Sequence, residues 1–543
     1  MINNNKIYTL LKDCIGEISG RSEDMLTFIY KKFGYLLILF FFSFGLATTF
    51  INPPFQVPDE PQHLAVAIGR LEKIKNYFRS ADKKVDLNCN YSINLSNHFN
   101  VIRTVMTSRS HIGSEAFTEK ALQSVEIGCT PTNVSYGTVL TYPSVILASI
   151  ISNDYLSTAK GALFHFYLSR IISGFLITLA LLRFWHLHNK CFENSNYLIG
   201  GISLLVTFLA PIMVQQSFGV SSDGVTFICF ILALQYAFFR SAQNPIDFLV
   251  LLVTLFATVT TKPNILPIII AIFILGLIRA DFFKGSLLKS FLQNNISKKH
   301  LYSILLTILL SFVWIARKDH SPQPSMRKNN VTASGQLKYI VNNPVKSFKM
   351  IDKVTKKLIS FRPFFGRFGW LKFNQPKDLK STFKNSLYLA IFFEALFIIG
   401  SRRKLSQLFS FLSDFKLRLT ELVGIYCSIY ITIFATCIIC YLLMTDVGFK
   451  YINGLQARYV ITAAQCWTLL LPLVLGYPLL LIHYIVNRLK SISPYSFAYT
   501  SRIMNQLQLT IVPPLLVLSI IMIVTLLFSI MTKYLMFLLA IYW

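Results

Sequence analysis

The chain has 543 residues, 54% of them hydrophobic and only 14% charged, with 47 phenylalanines. That balance excludes an ordinary soluble domain and indicates an all-α, polytopic membrane protein. The formal net charge of +28 would suit nucleic acid, but the basic residues cluster between apolar runs, where positive-inside loops and anionic headgroups account for them; no nucleic-acid partner is expected.

The first apolar run, about Tyr35–Ile51, follows a mostly polar segment, 1–34, assigned to the cytoplasm. That lead is long for a secretory signal, so the run reads as an uncleaved first span. Directly after it comes INPPFQVPDEPQHL. Pro53, Pro54 and Pro58 keep the entry extended. Pro58 and Pro61 suit the first turn of a helix, which puts Asp59 and Glu60 at the positive end of its dipole. Downstream, Leu64, Ala67, Ile68, Leu71, Ile74 and Phe78 recur at helical spacing among Arg70, Lys73, Lys75 and Arg79. This predicts an amphipathic helix lying along a membrane surface.

Two readings of Asp59 and Glu60 stand side by side. Such a pair can act as general base or hold a divalent cation, Mg or Mn, or it can simply cap a helix. His63, one turn beyond Asp59, either orients a carboxylate or faces solvent. The polar stretch continues as an external loop, 52–136. It contains Cys89 and Cys129, which an oxidising compartment would let pair.

Val139–Ile151 is short, with Pro143 inside it. Clearer spans are about Leu163–Trp185, Leu198–Val214, Val225–Phe239, Phe248–Thr260, Ile265–Ile278 and Leu301–Ile315. A second polar segment, 317–384, separates this core (35–316) from the C-terminal spans of 385–543. Those are about Leu387–Ile399, Leu422–Met444, Tyr459–Val486 and Leu509–Ile530, with a tail, Leu535–Trp543, too short to cross alone. The expectation is about eleven spans. With that count, Lys31 and Lys32, Arg183 and Lys190, Arg240, Arg279, Arg402–Lys404 and Arg488 mark the cytoplasmic side. The opposite side collects the unusual polar sequences: the acidic turn at Asp59, SFGVSSDG, TTKPN, FRPFFGRFGWLKF and INGLQARY. Their convergence predicts one site.

Asp223, after Ser221 and Ser222, is either a functional acid or an N-cap. Lys262 interrupts two apolar runs; a lysine there needs water or an anionic partner such as phosphate. Arg362, Arg367 and Arg458 suit bidentate phosphate recognition, or snorkel at the interface. Trp370, with Phe368, is an interfacial aromatic or a platform for a sugar ring. The sequence shows no P-loop, dinucleotide glycine motif or metal-ligand cluster.

VPDEPQHL, YPS at Tyr142–Ser144, SSDG, TKPN, FGRFGWL and NGLQARY occur in the order seen in a bacterial family of polytopic membrane proteins that groups with the GT-C glycosyltransferases. The resemblance covers Pro53 to about Tyr459. It implies a GT-C-like bundle with a juxtamembrane amphipathic helix in the first external loop. It also implies transfer of a sugar from a polyprenyl-phosphate donor, undecaprenyl-phosphate-sugar, to a glycan acceptor such as O-antigen of lipopolysaccharide. The site would face the periplasm from the bacterial inner membrane, among membrane lipids, with Asp59 as catalytic base and Glu60 beside it. The chain departs from the family pattern at Lys372, where an acid is common, and at Ala457, where glycine is common. A polysaccharide polymerase or ligase, and a lipid-sugar flippase, are the rival readings.

Overall fold

Apolar helices dominate the computed structural model, which describes residues 4–52, 57, 60, 63–64, 67, 91–94, 126–129, 142–152, 159–194, 200–239, 245–279, 305–306, 309, 332–359, 362–365, 367–368, 373–401, 415–471, 474, 478 and 511–542. Of the candidate site and disulfide residues named above, Asp59, Cys89 and Trp370 lie outside this set. Only the backbone is described at Cys129, Arg362 and Arg367.

In chain order the helices are α1 (Asn4–Ile51), α2 (Pro143–Ile151), α3 (Ala159–Asn194), α4 (Gly201–Phe208), α5 (Pro211–Ser217), α6 (Ser222–Phe239), α7 (Pro245–Thr261) and α8 (Leu266–Arg279). After the second polar segment begins come α9 (Ala333–Asn342), α10 (Pro344–Leu358), α11 (Lys377–Gly400), α12 (Phe415–Met444), α13 (Ile461–Gln465) and α14 (Val512–Tyr542). Two short antiparallel pairs accompany them. Tyr91–Asn94 pairs with Glu126–Cys129, and Arg367–Phe368 pairs with Phe373–Asn374. The first register sets Cys129 opposite Tyr91, two residues along the chain from Cys89.

Among the described residues, five helices are long and apolar enough to cross a membrane: Asp24–Ile51, Phe164–Lys190, Lys377–Gly400, Glu421–Met444 and Val512–Ala540. The pair Pro211–Ser217 and Ser222–Ala237, bent by 104°, makes a sixth if counted as one span. The protein is therefore a helical, multi-pass membrane protein. Several expected spans take another form. Leu198–Val214 divides into α4 and α5, because Pro211 opens a new helix and cannot donate to the turn before it. The start of Tyr459–Val486 breaks into a 3-10 turn, α13 and a second 3-10 turn, Cys466–Leu470. Conversely, Leu509–Ile530 and the tail join in one 31-residue helix, since the sequence between them holds no helix breaker.

Packing is aromatic and close. The Phe218 ring lies between Gly45 of α1 and Gly174 of α3; a methyl group added at either glycine would overlap it. Tyr30 stacks on Phe397 with centroids 4.4 Å apart, joining α1 to α11. The described positions 60, 63, 64 and 67 are all buried. Their spacing is one face of a helix, and that face packs on protein; the rest of the expected amphipathic helix, 68–79, lies outside the described residues.

Candidate functional site: charged groups at three helix breaks

Three interruptions of the bundle meet in space. The first lies between α5 and α6. Gly219 is required there, since a Cβ would stand 2.9 Å from Val57 Cγ1 and 3.1 Å from the Gln215 carbonyl oxygen. The second follows α7, where Lys262 precedes Pro263 and is steered out of helical geometry. The third precedes the 3-10 turn Ala457–Tyr459, and Gly454 supplies the left-handed backbone, φ +71, that lets the chain turn back. Irregular backbone at membrane depth survives only inside protein or along a cavity.

Each break delivers a charge. Asp223 sits in the first turn of α6, and its N–H donates to Ser221 Oγ at 3.2 Å. Lys262 Nζ pairs with Asp223 Oδ1. Arg458 Nη1 lies 3.4 Å from Oδ2 of the same carboxylate. All three residues are buried. The Tyr459 ring completes the cluster, 5.0 Å from Lys262 Nζ and 5.3 Å from the Arg458 guanidinium. Asn264 fixes that tyrosine's backbone, donating to Tyr459 O and to Thr436 Oγ1, both at 3.1 Å. The 3-10 turn Arg362–Phe365 packs beside Ala457–Tyr459 and α5, with Phe364 fully buried. Four of the sequences expected to converge therefore do so: SSDG, TKPN, RPFF and QARY. Arg367 lies in the strand paired with Asn374.

The acidic turn joins the cluster through Glu60. Its carboxylate accepts Arg170 Nε at 2.9 Å on Oε1 and Arg170 Nη2 at 2.7 Å on Oε2. Val220 N–H adds a third bond to Oε1 at 2.9 Å. Arg170 also donates from Nη1 to Asn52 O at 2.6 Å and to Thr49 O at 3.3 Å, with its guanidinium 4.6 Å over the Phe166 ring. Glu60 and Arg170 are both 0% exposed. A carboxylate so engaged ties three segments of the chain together; the sequence reading sets Glu60 beside Asp59 as a catalytic group. Val220 precedes Asp223 by three residues, so the clamp and the charged cluster share one loop.

His63 is buried and shares a hydrogen bond of 2.7 Å with the Tyr142 hydroxyl, through Nδ1. This bond ties His63 to the tyrosine of YPS. Nearby, Ser149 and His165 Nε2 are 3.0 Å apart, which pins α2 to α3. Sequence reasoning missed Arg170 altogether. The available signal was a lone arginine inside an apolar run, which demands a partner. Among the described residues, no group of three or more His, Cys, Asp or Glu could hold a metal ion.

A model of a family described as a predicted membrane protein (DUF2142) matches residues 41–465. No curated protein and no solved structure matches the chain.

Proposed function

We propose, from the premise that this chain belongs to the DUF2142 family of predicted membrane proteins, that it is a membrane glycosyltransferase. It would move a sugar from a polyprenyl-phosphate donor to a surface-glycan acceptor on the outer side of the bacterial inner membrane. The observation that supports this best is the meeting of Asp223, Lys262 and Arg458 at three helix breaks. Guanidinium and ammonium groups presented together from loops recognise phosphate oxygens, the arginine through a planar fork. In this reading Asp59 accepts the proton of the acceptor hydroxyl. The freed oxygen attacks the anomeric carbon, and the C–O bond to phosphate breaks with its electron pair passing to the phosphate. Lys262 and Arg458 offset the charge that develops there. Asp223 holds the two cations in register, and the Glu60–Arg170 clamp ties the segment that carries Asp59 to the same loop. A divalent cation, Mg or Mn, would be a further source of charge neutralisation.

A lipid-sugar flippase is the second reading, favoured by the 104° break and the buried charges, features that transporters place along a path. Deletion of the gene, complementation with variants and mass analysis of the surface polysaccharide test the proposal. The deletion strain should lack one hexose. Asp59→Asn and Arg458→Gln proteins should insert normally and leave it missing. Full modification by Asp59→Asn would remove the assigned base. Changed chain length with intact side groups would point to a polymerase. Donor transport across vesicles without product would favour the flippase.

A further inference from the structure

The last turn of α5 carries buried amides that the proposed reaction leaves without a role. Gln215, Gln216 and Ser217 are 2%, 1% and 0% exposed. Among the described residues, Gln215 Oε1 and Nε2, Gln216 Oε1 and Ser217 Oγ have no hydrogen-bond partner. A buried polar group without a partner is destabilising, and here four such atoms fall on three successive residues. Protein interiors pair nearly all such groups, so each exception requires a reason.

Position ties these amides to the candidate site. Ser221 Oγ donates to the Gln216 carbonyl oxygen at 3.5 Å and accepts the Asp223 N–H at 3.2 Å, so one side chain links Gln216 to the charged cluster. α5 packs directly on α6, which carries Asp223, and on the 3-10 turn Arg362–Phe365. That turn packs in its own right beside Ala457–Tyr459, which carries Arg458. Glu60 accepts the Val220 N–H in the loop that leaves α5.

The pattern of donors and acceptors identifies a class of ligand. An amide Nε2 only donates and an Oε1 only accepts, whereas a hydroxyl does both. An ionised phosphate diester has no proton to give to the two Oε1 atoms, and an apolar chain would match none of the four. A hydroxylated ring carries donors and acceptors around its rim. Neighbouring positions on a helix are about 100° apart, so one ring can meet both glutamines.

We propose that Gln215 and Gln216 form the subsite that hydrogen-bonds the hydroxyl groups of the transferred sugar, a neutral hexose. The proposal rests on the glycosyltransferase reading and deepens it, assigning the part of the donor that Lys262 and Arg458 do not hold.

The test uses the full chain in nanodiscs. The probes are farnesyl phosphate and farnesyl-phosphate-linked glucose, galactose and mannose, titrated by microscale thermophoresis. The wild type should bind at least one sugar-bearing probe about tenfold more tightly than farnesyl phosphate, the gain from a few hydrogen bonds. Methionine matches glutamine in length and lacks its amide. The double variant Q215M/Q216M should lower the affinity for that probe to the level of farnesyl phosphate, and should bind farnesyl phosphate as the wild type does. Without ligand, its thermal midpoint should be at least as high as that of the wild type, because orphaned amides have given way to apolar groups. A lower midpoint would mark the glutamines as structural and overturn the proposal. So would a sugar preference that survives in the double variant, which would leave water as the partner of the amides. A wild type that binds farnesyl phosphate without any sugar preference would remove the subsite alone. A wild type that binds none of the four probes would remove the glycosyltransferase reading, and the subsite with it.

Discussion

Replacing Arg170 with methionine keeps most of the apolar stem and removes a guanidinium that makes four hydrogen bonds. The cost is dominated by what stays behind. Glu60 would be a fully buried carboxylate with Val220 N–H as its surviving partner from this set. Breaking a buried pair from one side costs about 3–5 kcal/mol, whereas removing both charges together costs far less, since no uncompensated ion remains. The single variant should therefore lose on the order of 5 °C in thermal midpoint, measured on detergent-purified protein with a thiol-reactive dye that reports exposure of buried cysteines such as Cys229 and Cys466. The double variant Glu60→Gln with Arg170→Met should recover much of that loss. A single variant as stable as the wild type would refute the reasoning. Additive losses in the double variant would refute it equally, because the coupling between the two side chains would then be close to zero.

Other expectations follow from the same geometry. Glu394 of α11 accepts Ile202 N–H at 2.6 Å and Ser203 N–H at 3.3 Å on Oε1, and the Ser203 hydroxyl at 2.6 Å on Oε2. Glu394→Ala strips the acceptor from the start of α4 and should cost roughly 1–3 kcal/mol for each buried donor left over, seen as a lower midpoint than that of Glu394→Gln. Gly174→Leu would force the Phe218 ring out of its slot; overpacking costs about 1–3 kcal/mol, and combination with Phe218→Leu should restore part of it in the same assay. Asp352, on α10, has its carboxyl held below the usual carboxylate range by the Lys356 ammonium and by the Tyr430 hydroxyl donating to it. A depressed folded-state pKa contributes stability that is complete above the ordinary carboxylate value and is lost as pH falls through the depressed one. Stability should thus be level near neutrality with respect to this group and decline on acidification, and Asp352→Asn should flatten that decline in melts taken between pH 7 and pH 3, a window placed around the ordinary carboxylate pKa of about 4.

Much of the cluster was legible because membrane helices make interruptions conspicuous. Lys262 ahead of Pro263, Ser221–Asp223 after a glycine, and Arg458 after Gly454 each break an apolar run with a residue that lipid will not accept. What sequence could not supply was partnership. Glu60 and Asp59 are adjacent and chemically alike, and the assignment of Glu60 to a clamp depended on Arg170, which lies 110 positions away. Glu394 went unread because it sits alone within Leu387–Ile399, a run otherwise apolar enough to pass for an ordinary span. Its donors are backbone groups, which leave no trace in composition. The division of α4 from α5 was hidden in the same way, since hydropathy registers polarity and is blind to the missing N–H of Pro211.

The Glu60 clamp also sets an order of events during synthesis. Its carboxylate leaves the ribosome 110 residues before Arg170 and 160 residues before Val220. At translation rates of about 5–20 residues per second, that is a wait of roughly 5–30 s. Throughout it the segment after α1 has neither of these anchors, and α1 stands in the membrane without the Arg170 contacts to its C-terminal end. Closure of the first loop is therefore a late step that can be completed only after α3 and the break before α6 have been inserted. A chain that stalls or misorients at either element would leave Glu60 unbound. Glu60 thus records whether the next 160 residues have been threaded correctly.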